Sequence, residues 1–301
     1  MDILQRLPVD KWTALRDTLR RDWPRFAYYY NFVHNSIKWK LKDPAVDIEF
    51  YCPDARADAG VFVSKSNHGR KYVMLFSFDE ARDLFRGVLR ETSLISWNEK
   101  CVLYCVHDNV NELLDEFLAE EKARGHIAEY ERNVNLSFLM PRDECRKITV
   151  EVPKGCELRR IDESHIPLIH SLWPHRDVDC PEQSLAFLTT IGRLNGGFGL
   201  FSKKDNSVAA WILQCNLGGL GMLQTLDAHR RKGYGALVSM AMAKDIAERD
   251  DIDVSCFIID RNSASQRLFA SLGFVHVSSA ASYYLSPKTI SEPTHSCCSN
   301  K

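Results

Sequence analysis

The stretch LGMLQTLDAHRRKGYG, residues 220–235, decides how the rest of the chain is read. Its first seven residues have the apolar, β-prone character of a strand. From Tyr234 to Arg249 the apolar residues return at helical spacing. Between the two lies Arg230-Arg231-Lys232-Gly233-Tyr234-Gly235. A strand that passes through such a loop straight into a helix makes an anion site. The first N–H groups of the helix lack intrahelical acceptors, and the helix dipole puts partial positive charge there. Glycines let the backbone approach a pyrophosphate closely, and three cations add local charge. The plainer alternative is a basic turn that caps a buried helix.

Working outward, an apolar strand is expected at Val254–Ile259, then a helix at Ser263–Leu272 led by Asn262, and a final strand pair within Phe274–Leu285. Upstream, strands at Phe198–Ser202 and Ser207–Cys215 flank the hairpin turn Lys203-Lys204-Asp205-Asn206. Before them come a strand at Glu157–Arg160, a helix that starts at Asp162-Glu163-Ser164-His165 and runs to Trp173, a polar loop from Pro174 to Pro181, and a helix at Glu182–Ile191. The first half alternates in the same way. A helix is expected at Asp10–Trp23, strands at Asp47–Tyr51, Gly60–Ser64 and Lys71–Phe76, and a helix at Asp79–Glu91 with Asp79 as its cap. A strand at Cys101–Val106, a helix at Asn109–Arg124 and a strand at Asn135–Met140 follow. The charged, proline-bounded segment 141–155 is the expected boundary. It gives domains at 1–145 and 146–286, with 287–301 as a disordered tail. The Cys297-Cys298 pair in that tail has a sharper alternative reading as a dipalmitoylation site.

With 301 residues, 45% of them hydrophobic, the chain can bury a substantial core. Its formal net charge of -1 speaks against a nucleic-acid or anionic-membrane partner. The ten cysteines lie mostly in apolar runs without C-x-x-C pairs, as expected of reduced thiols in an intracellular protein, cytoplasmic or mitochondrial. No metal-ligand spacing is present, and no apolar run has the length of a membrane helix. The segment Met1–Arg25 has some features of a mitochondrial presequence. However, Asp2, Asp10, Asp17 and Asp22 favour an amphipathic first helix of the fold. Trp97, Trp173 and Trp211 sit in apolar periodic sequence and read as core, whereas Tyr28-Tyr29-Tyr30 is ambiguous.

Downstream of the loop, Asn262, Leu268, Phe269, Gly273 and Phe274 follow the spacing N-x5-L-F-x3-G-F. With the R-x-x-G-x-G loop in register before it, the sequence resembles the GNAT acyltransferase superfamily. That resemblance implies an α/β (α+β) fold with a mixed, mostly antiparallel sheet flanked by helices. It also implies acyl-CoA, acetyl-CoA for example, as co-substrate, with no cofactor bound permanently. The residues it assigns to CoA are Thr225, Leu226, Ala228, Arg230, Arg231, Lys232, Gly233, Tyr234, Gly235, Ala236, Asn262 and Phe269.

A longer resemblance takes in Trp23-Pro24 to His34, Ile95-Ser96-Trp97, Leu158, Asp162-Glu163-Ser164-His165, Ser171-Leu172-Trp173 and Ala210-Trp211. These look like glycine N-acyltransferase and its paralogues. In that family a degenerate GNAT-like unit precedes the catalytic one, and the acyl group goes to the amine of glycine or a similar small acceptor. Two departures stand out. The family's general-base Glu falls at Gly219, and the Tyr that protonates the thiolate in many GNAT enzymes is Phe269. Asp227, His229 and Ser265 are then the candidate catalytic residues, against plainer roles as a dipole partner and loop or helix surface. His175, Asp177 and Asp179 lie where the fold usually admits acceptor. The first half has no comparable glycine loop and is not expected to bind CoA. A non-catalytic acyl-CoA-binding protein and a protein or lysine acetyltransferase are the competing functions.

Overall fold

The computed structural model describes residues 2–69, 71–97, 99–174, 176–178 and 180–287. The expected tail at 288–301, with its cysteine pair, lies outside them. The first half runs β1 (Leu4–Arg6), α1 (Trp12–Thr18), α2 (Ala27–Lys42), β2 (Ile48–Pro53), β3 (Val61–Asn67) and β4 (Lys71–Ser77). It continues with α3 (Arg82–Glu91), β5 (Cys101–His107), α4 (Asp108–Ala123) and β6 (Ile127–Met140). After a short α5 (Arg142–Arg146), the second half runs β7 (Cys156–Ile161), α6 (Ile166–Leu172), α7 (Pro181–Leu194), β8 (Gly197–Ser202) and β9 (Val208–Gln214). It ends with β10 (Leu220–Thr225), α8 (Tyr234–Arg249), β11 (Val254–Ile259), α9 (Ser263–Ser271) and β12 (Val275–Pro287). The order β-α-α-β-β-β-α-β-α-β thus occurs twice.

Among the described residues, twelve strands form one sheet in the order β1-β2-β3-β4-β5-β12-β6-β11-β10-β9-β8-β7. Neighbours are antiparallel except β4 with β5 and β10 with β11. The repeats trade their last strands. β6 of the first pairs with β11 of the second from Val254↔Met140 to Ile259↔Asn135. β12 of the second pairs with β5 of the first from Ala280↔His107 to Leu285↔Cys101. β6 and β12 also run against each other, from Val275↔Leu139 to Pro287↔Ile127. The expected final strand pair is therefore one long strand that serves two partners. β6 likewise begins eight residues before the expected Asn135, because pairing with β12 along residues 127–134 keeps a polar stretch extended.

α2 was not legible in the sequence. Ala27 to Val33 are all buried, so no polar face marks a helical period. Its aromatic residues seat it on the first repeat, where Tyr28 Oη donates to Cys105 O at 3.0 Å and Tyr29 Oη to Leu75 O at 2.7 Å. Its polar residues reach the second repeat. Asn31 Nδ2 donates to Asp253 O at 2.9 Å, Asn35 Nδ2 to Asn216 O at 3.0 Å, and Trp39 Nε1 to Asn195 Oδ1 at 2.7 Å. Before it, the expected helix Asp10–Trp23 shortens to α1, with Leu4, Leu7, Leu15 and Leu19 buried as an amphipathic segment requires and Trp23 partly exposed. The segment expected as linker holds α5, whose Cys145 is fully buried and whose Arg146 donates to Ala247 O at the end of α8. Asp79 does not cap α3. Its carboxylate instead takes Arg25 at 2.7 Å and Asn109 at 3.0 Å. Among the described residues, no helix is long and apolar enough to cross a membrane.

His68, after β3, is buried edge-on to Trp39 at 5.1 Å. Burial pushes its pKa down from 6.5 to about 4, against a small opposing pull from Asp47. The unfolded chain therefore takes up this proton first, so stability is complete above about pH 6.5 and declines as pH falls toward 4. Urea unfolding across that range should show the decline, and His68→Leu should remove about 2 kcal/mol of it. An unchanged pH slope in the variant would show that His68 is not its source.

Candidate functional site

The loop after β10 has the geometry of an anion cradle. Arg231 and Gly233 both adopt left-handed backbone, at φ 59° and 77°, and Gly233 caps α8. The first helical bond is donated by Leu237 to Gly233 O, which leaves the N–H groups of Tyr234, Gly235 and Ala236 outside the ladder. Glycine meets the left-handed requirement at position 233 without strain. A cavity of about 470 Å³ opens over this turn. Thr225, Arg230, Arg231, Gly233, Tyr234, Gly235 and Ala236 border it on one side, and Ala264, Ser265 and Leu268 of α9 on the other.

The remaining expected contacts stand outside that cavity. Leu226 N–H bonds Ala209 O, prolonging the β9 ladder, and Lys232 Nζ donates to Ala228 O at 3.1 Å. Asp227 is exposed and ion-paired to Arg230 at 2.8 Å, and His229 stacks on Tyr234 at 6.1 Å between ring centres. Asp227 and His229 border neither this cavity nor the next.

A second cavity, of about 410 Å³, lies at the junction of the two repeats. β10 touches β11 at the single register Leu220↔Cys256, and beyond that point the parallel strands diverge. The β9 ladder also breaks between Gly221 and Gln224, with Met222 at φ 52°. The backbone groups of this bulge are thereby released from the sheet, and Gly221, Met222 and Leu223 border the cavity. Asn262 Oδ1 accepts the N–H of Ser265 at 3.1 Å, capping α9 so that its first turn faces the same space. Phe269 borders it too, nearly buried and edge-on to Phe274 at 5.3 Å. Leu223 and Ser265 belong to both cavities, which makes them one slot from the basic loop to the junction.

Sequence reading did not find the junction's other wall, because the first repeat supplies part of it. Tyr72 of β4 and Tyr104 of β5 pack at 5.1 Å, Phe187 of α7 lies 5.7 Å from Tyr72, and Tyr284 of β12 closes one side. The duplicated element order is the signal that could have placed β4 and β5 there. Trp173, expected in the core, also borders this cavity, whereas Trp211 is fully buried. Of the residues expected to meet acceptor, His175 and Asp179 lie outside the described residues. Asp177 accepts the N–H of Cys180 at 2.9 Å before α7 and borders neither cavity. At Gly219 a Cβ would stand 2.2 Å from Ser255 O, so the backbone of β11 occupies the place of a side chain. In the first repeat, the turn that corresponds to the basic loop carries Asp79 and Glu80, tied to Arg25 and Arg21.

Residues 197–284 match the family model described as FR47-like protein, and residues 3–117 match a domain of unknown function, DUF5645. No match was found among the curated proteins. Among solved structures, a Drosophila protein is 23% identical with a TM-score of 0.84, over 95% of this chain and 99% of that one. A tandem GNAT protein from the clavulanic acid biosynthesis pathway is 14% identical with a TM-score of 0.54, over 95% and 99%. A GCN5-related N-acetyltransferase from Sphaerobacter thermophilus is 12% identical with a TM-score of 0.56, over 94% and 95%. The duplicated element order, the diverging β10–β11 pair and these likenesses together make the fold that of a tandem GNAT protein, with an FR47-like module over residues 197–284.

Proposed function

We propose that the chain is an acyl-CoA-dependent N-acyltransferase, with its transfer site in the second repeat and part of its acceptor wall supplied by the first. The observation that carries this reading is the continuity of the slot, which joins an anion-binding turn to a two-repeat cavity through Leu223 and Ser265. The CoA pyrophosphate would sit on the N–H groups of Tyr234 to Ala236 beside Arg230 and Arg231. The pantetheine arm would then run between β10 and α9. This places the thioester at the bulge, where backbone N–H groups freed from the ladder can polarise its carbonyl. The enzyme's main contribution is to hold amine and thioester together. Ser265, at the first turn of α9, is the side chain best placed to pass a proton to the departing thiolate, and the helix N-terminus favours that anion. Asp227 and His229 act on the loop, by pairing with Arg230 and by supporting Tyr234. The acceptor is a small amine; in the glycine N-acyltransferases that the sequence resembles it is an amino acid. The acidic turn of the first repeat would repel a pyrophosphate, so one CoA binds per chain.

The test is acceptor-dependent thiol release from acetyl-, butyryl-, benzoyl- and phenylacetyl-CoA, with CoA affinity measured in parallel by calorimetry. In Gly235→Glu a Cβ meets Thr225 Oγ1 at 3.1 Å and a carboxylate enters the anion cavity. CoA affinity should fall by about 100-fold or more, and thiol release with it. Parental affinity in that variant would rule out the loop as the CoA site. A second reading rests on Gly219 and Phe269, which supply neither base nor acid: CoA binding without thiol release for any acceptor would make this a non-catalytic acyl-CoA-binding protein.

A further inference from the structure

The lining of the junction cavity includes an aromatic cluster of Tyr72, Tyr104 and Phe187. Its titratable side chains are three phenols, Tyr72, Tyr104 and Tyr284, and three thiols, Cys105, Cys215 and Cys256. Among the described residues, no carboxylate, imidazole, ammonium or guanidinium borders it. Charge then limits what can enter. An acceptor carboxylate would lose part of its hydration and meet no cation among the described residues that border the cavity. An ammonium could rest on the ring faces, but among the described lining residues it would find no group able to take its proton at neutral pH. Burial pushes the Cys215 thiol up to about 11 and Cys105 up to about 12, and raises Cys256 and the Tyr104 phenol well above their ordinary values. These groups stay protonated and cannot serve as bases.

Building on the acyltransferase reading, we propose that the acceptor is an aromatic amine without a carboxylate, seated against Tyr72, Tyr104 and Phe187, and that it reacts from its free-base form. Its nitrogen lone pair forms the C–N bond at the thioester carbonyl, and the C–S bond breaks with its electron pair on sulfur. The proton that nitrogen then sheds goes to the CoA thiolate. Amine and thioester become amide and free thiol, and the protein retains no proton.

The deciding experiment is kcat/KM for thiol release from acetyl-CoA as a function of pH, with three acceptors: aniline, phenylethylamine and glycine. Aniline, already a free base across the neutral range, should give a flat profile. Phenylethylamine should rise about tenfold per pH unit up to its own pKa. Glycine should be slower than phenylethylamine by about 100-fold. Tyr104→Ala should raise KM for phenylethylamine about tenfold, with Tyr104→Phe close to parent. A pH limb at the same position for aniline and phenylethylamine, or glycine as the best substrate, would overturn the proposal and leave the acyltransferase standing. If CoA binds and no acceptor gives thiol, the acyltransferase reading fails and phenylethylamine binding by calorimetry decides this one. Binding that is lost in Tyr104→Ala and kept in Tyr104→Phe supports the aromatic seat, and absence of binding, or tighter binding of glycine, refutes it.

Discussion

Gly219→Glu, the substitution that would restore the carboxylate expected from glycine N-acyltransferases, should cost about 3 kcal/mol of stability or more and add no activity. Position 219 leads into β10 just before its one contact with β11, and a Cβ there would meet Ser255 O at 2.2 Å and Ser255 Oγ at 2.6 Å. Ser255 cannot withdraw. Its strand pairs with β6 on the other side, and its hydroxyl accepts from Asn31 of α2 at 3.1 Å. Gly219→Ala should therefore be almost as damaging, because the clash begins at the first side-chain atom. Urea unfolding of both variants beside thiol-release assays checks this. A stable Gly219→Glu protein with a faster rate would mean that β10 can move off β11 and that a carboxylate base is usable here.

Asp250→Ala should destabilise by about 3 kcal/mol, because it leaves the mostly buried Lys38 without its carboxylate, whereas Arg249 keeps Asp245 at 2.7 Å. The Asp250 side chain is 2% exposed and takes Lys38 Nζ at 2.7 Å, Gln214 Nε2 at 2.8 Å and Arg249 Nε at 3.1 Å. Lys38 comes from α2 and the other three from the second repeat, so the cluster joins the repeats. Burial alone would raise the Asp250 pKa, but Arg249 and Lys38 outweigh it and hold the carboxyl well below its usual range. Burial pushes Lys38 down to about 8 despite Asp250. The carboxylate's contribution is thus present above its unfolded pKa and lost as pH falls through the acid range. The depressed lysine makes stability rise as pH climbs from about 8 toward 10.5. Lys38→Met should cost less, about 1 kcal/mol, since Asp250 keeps Arg249 and Gln214. The double variant should recover part of the Asp250→Ala loss, and strict additivity in a double-mutant cycle would show that the pair is not coupled.

The parts of this protein that were legible in sequence are those whose signal is local. α8 and β11 have the expected bounds because one apolar stripe and one apolar run define them, and the cradle at Gly233 followed from a glycine at a helix start. Local sequence does not say which strand lies beside which. The exchange of β6 and β12 brings Tyr104 and Tyr284 to the second repeat's slot, and nothing in CVLYCV or SYYL announces it. α2 was missed for a related reason: its first two turns, Ala27 to Val33, are enclosed by both repeats and have no solvent-facing side to mark a helical period. The close approach at Gly219 was also hidden, since a glycine in sequence states only that a side chain is missing.

The traded strands also set the order in which the molecule can be completed on the ribosome. β12, the last of the twelve to be made, belongs beside the sheet's midpoint, between β5 and β6. The first repeat therefore emerges with β5 awaiting a neighbour that has yet to be translated, although amino-terminal domains commonly finish folding first. Once seated, β12 acts as a keystone. A protease nick in the connection after β6 would leave two fragments interlocked through the middle of the sheet, neither able to leave without stripping the other of a strand.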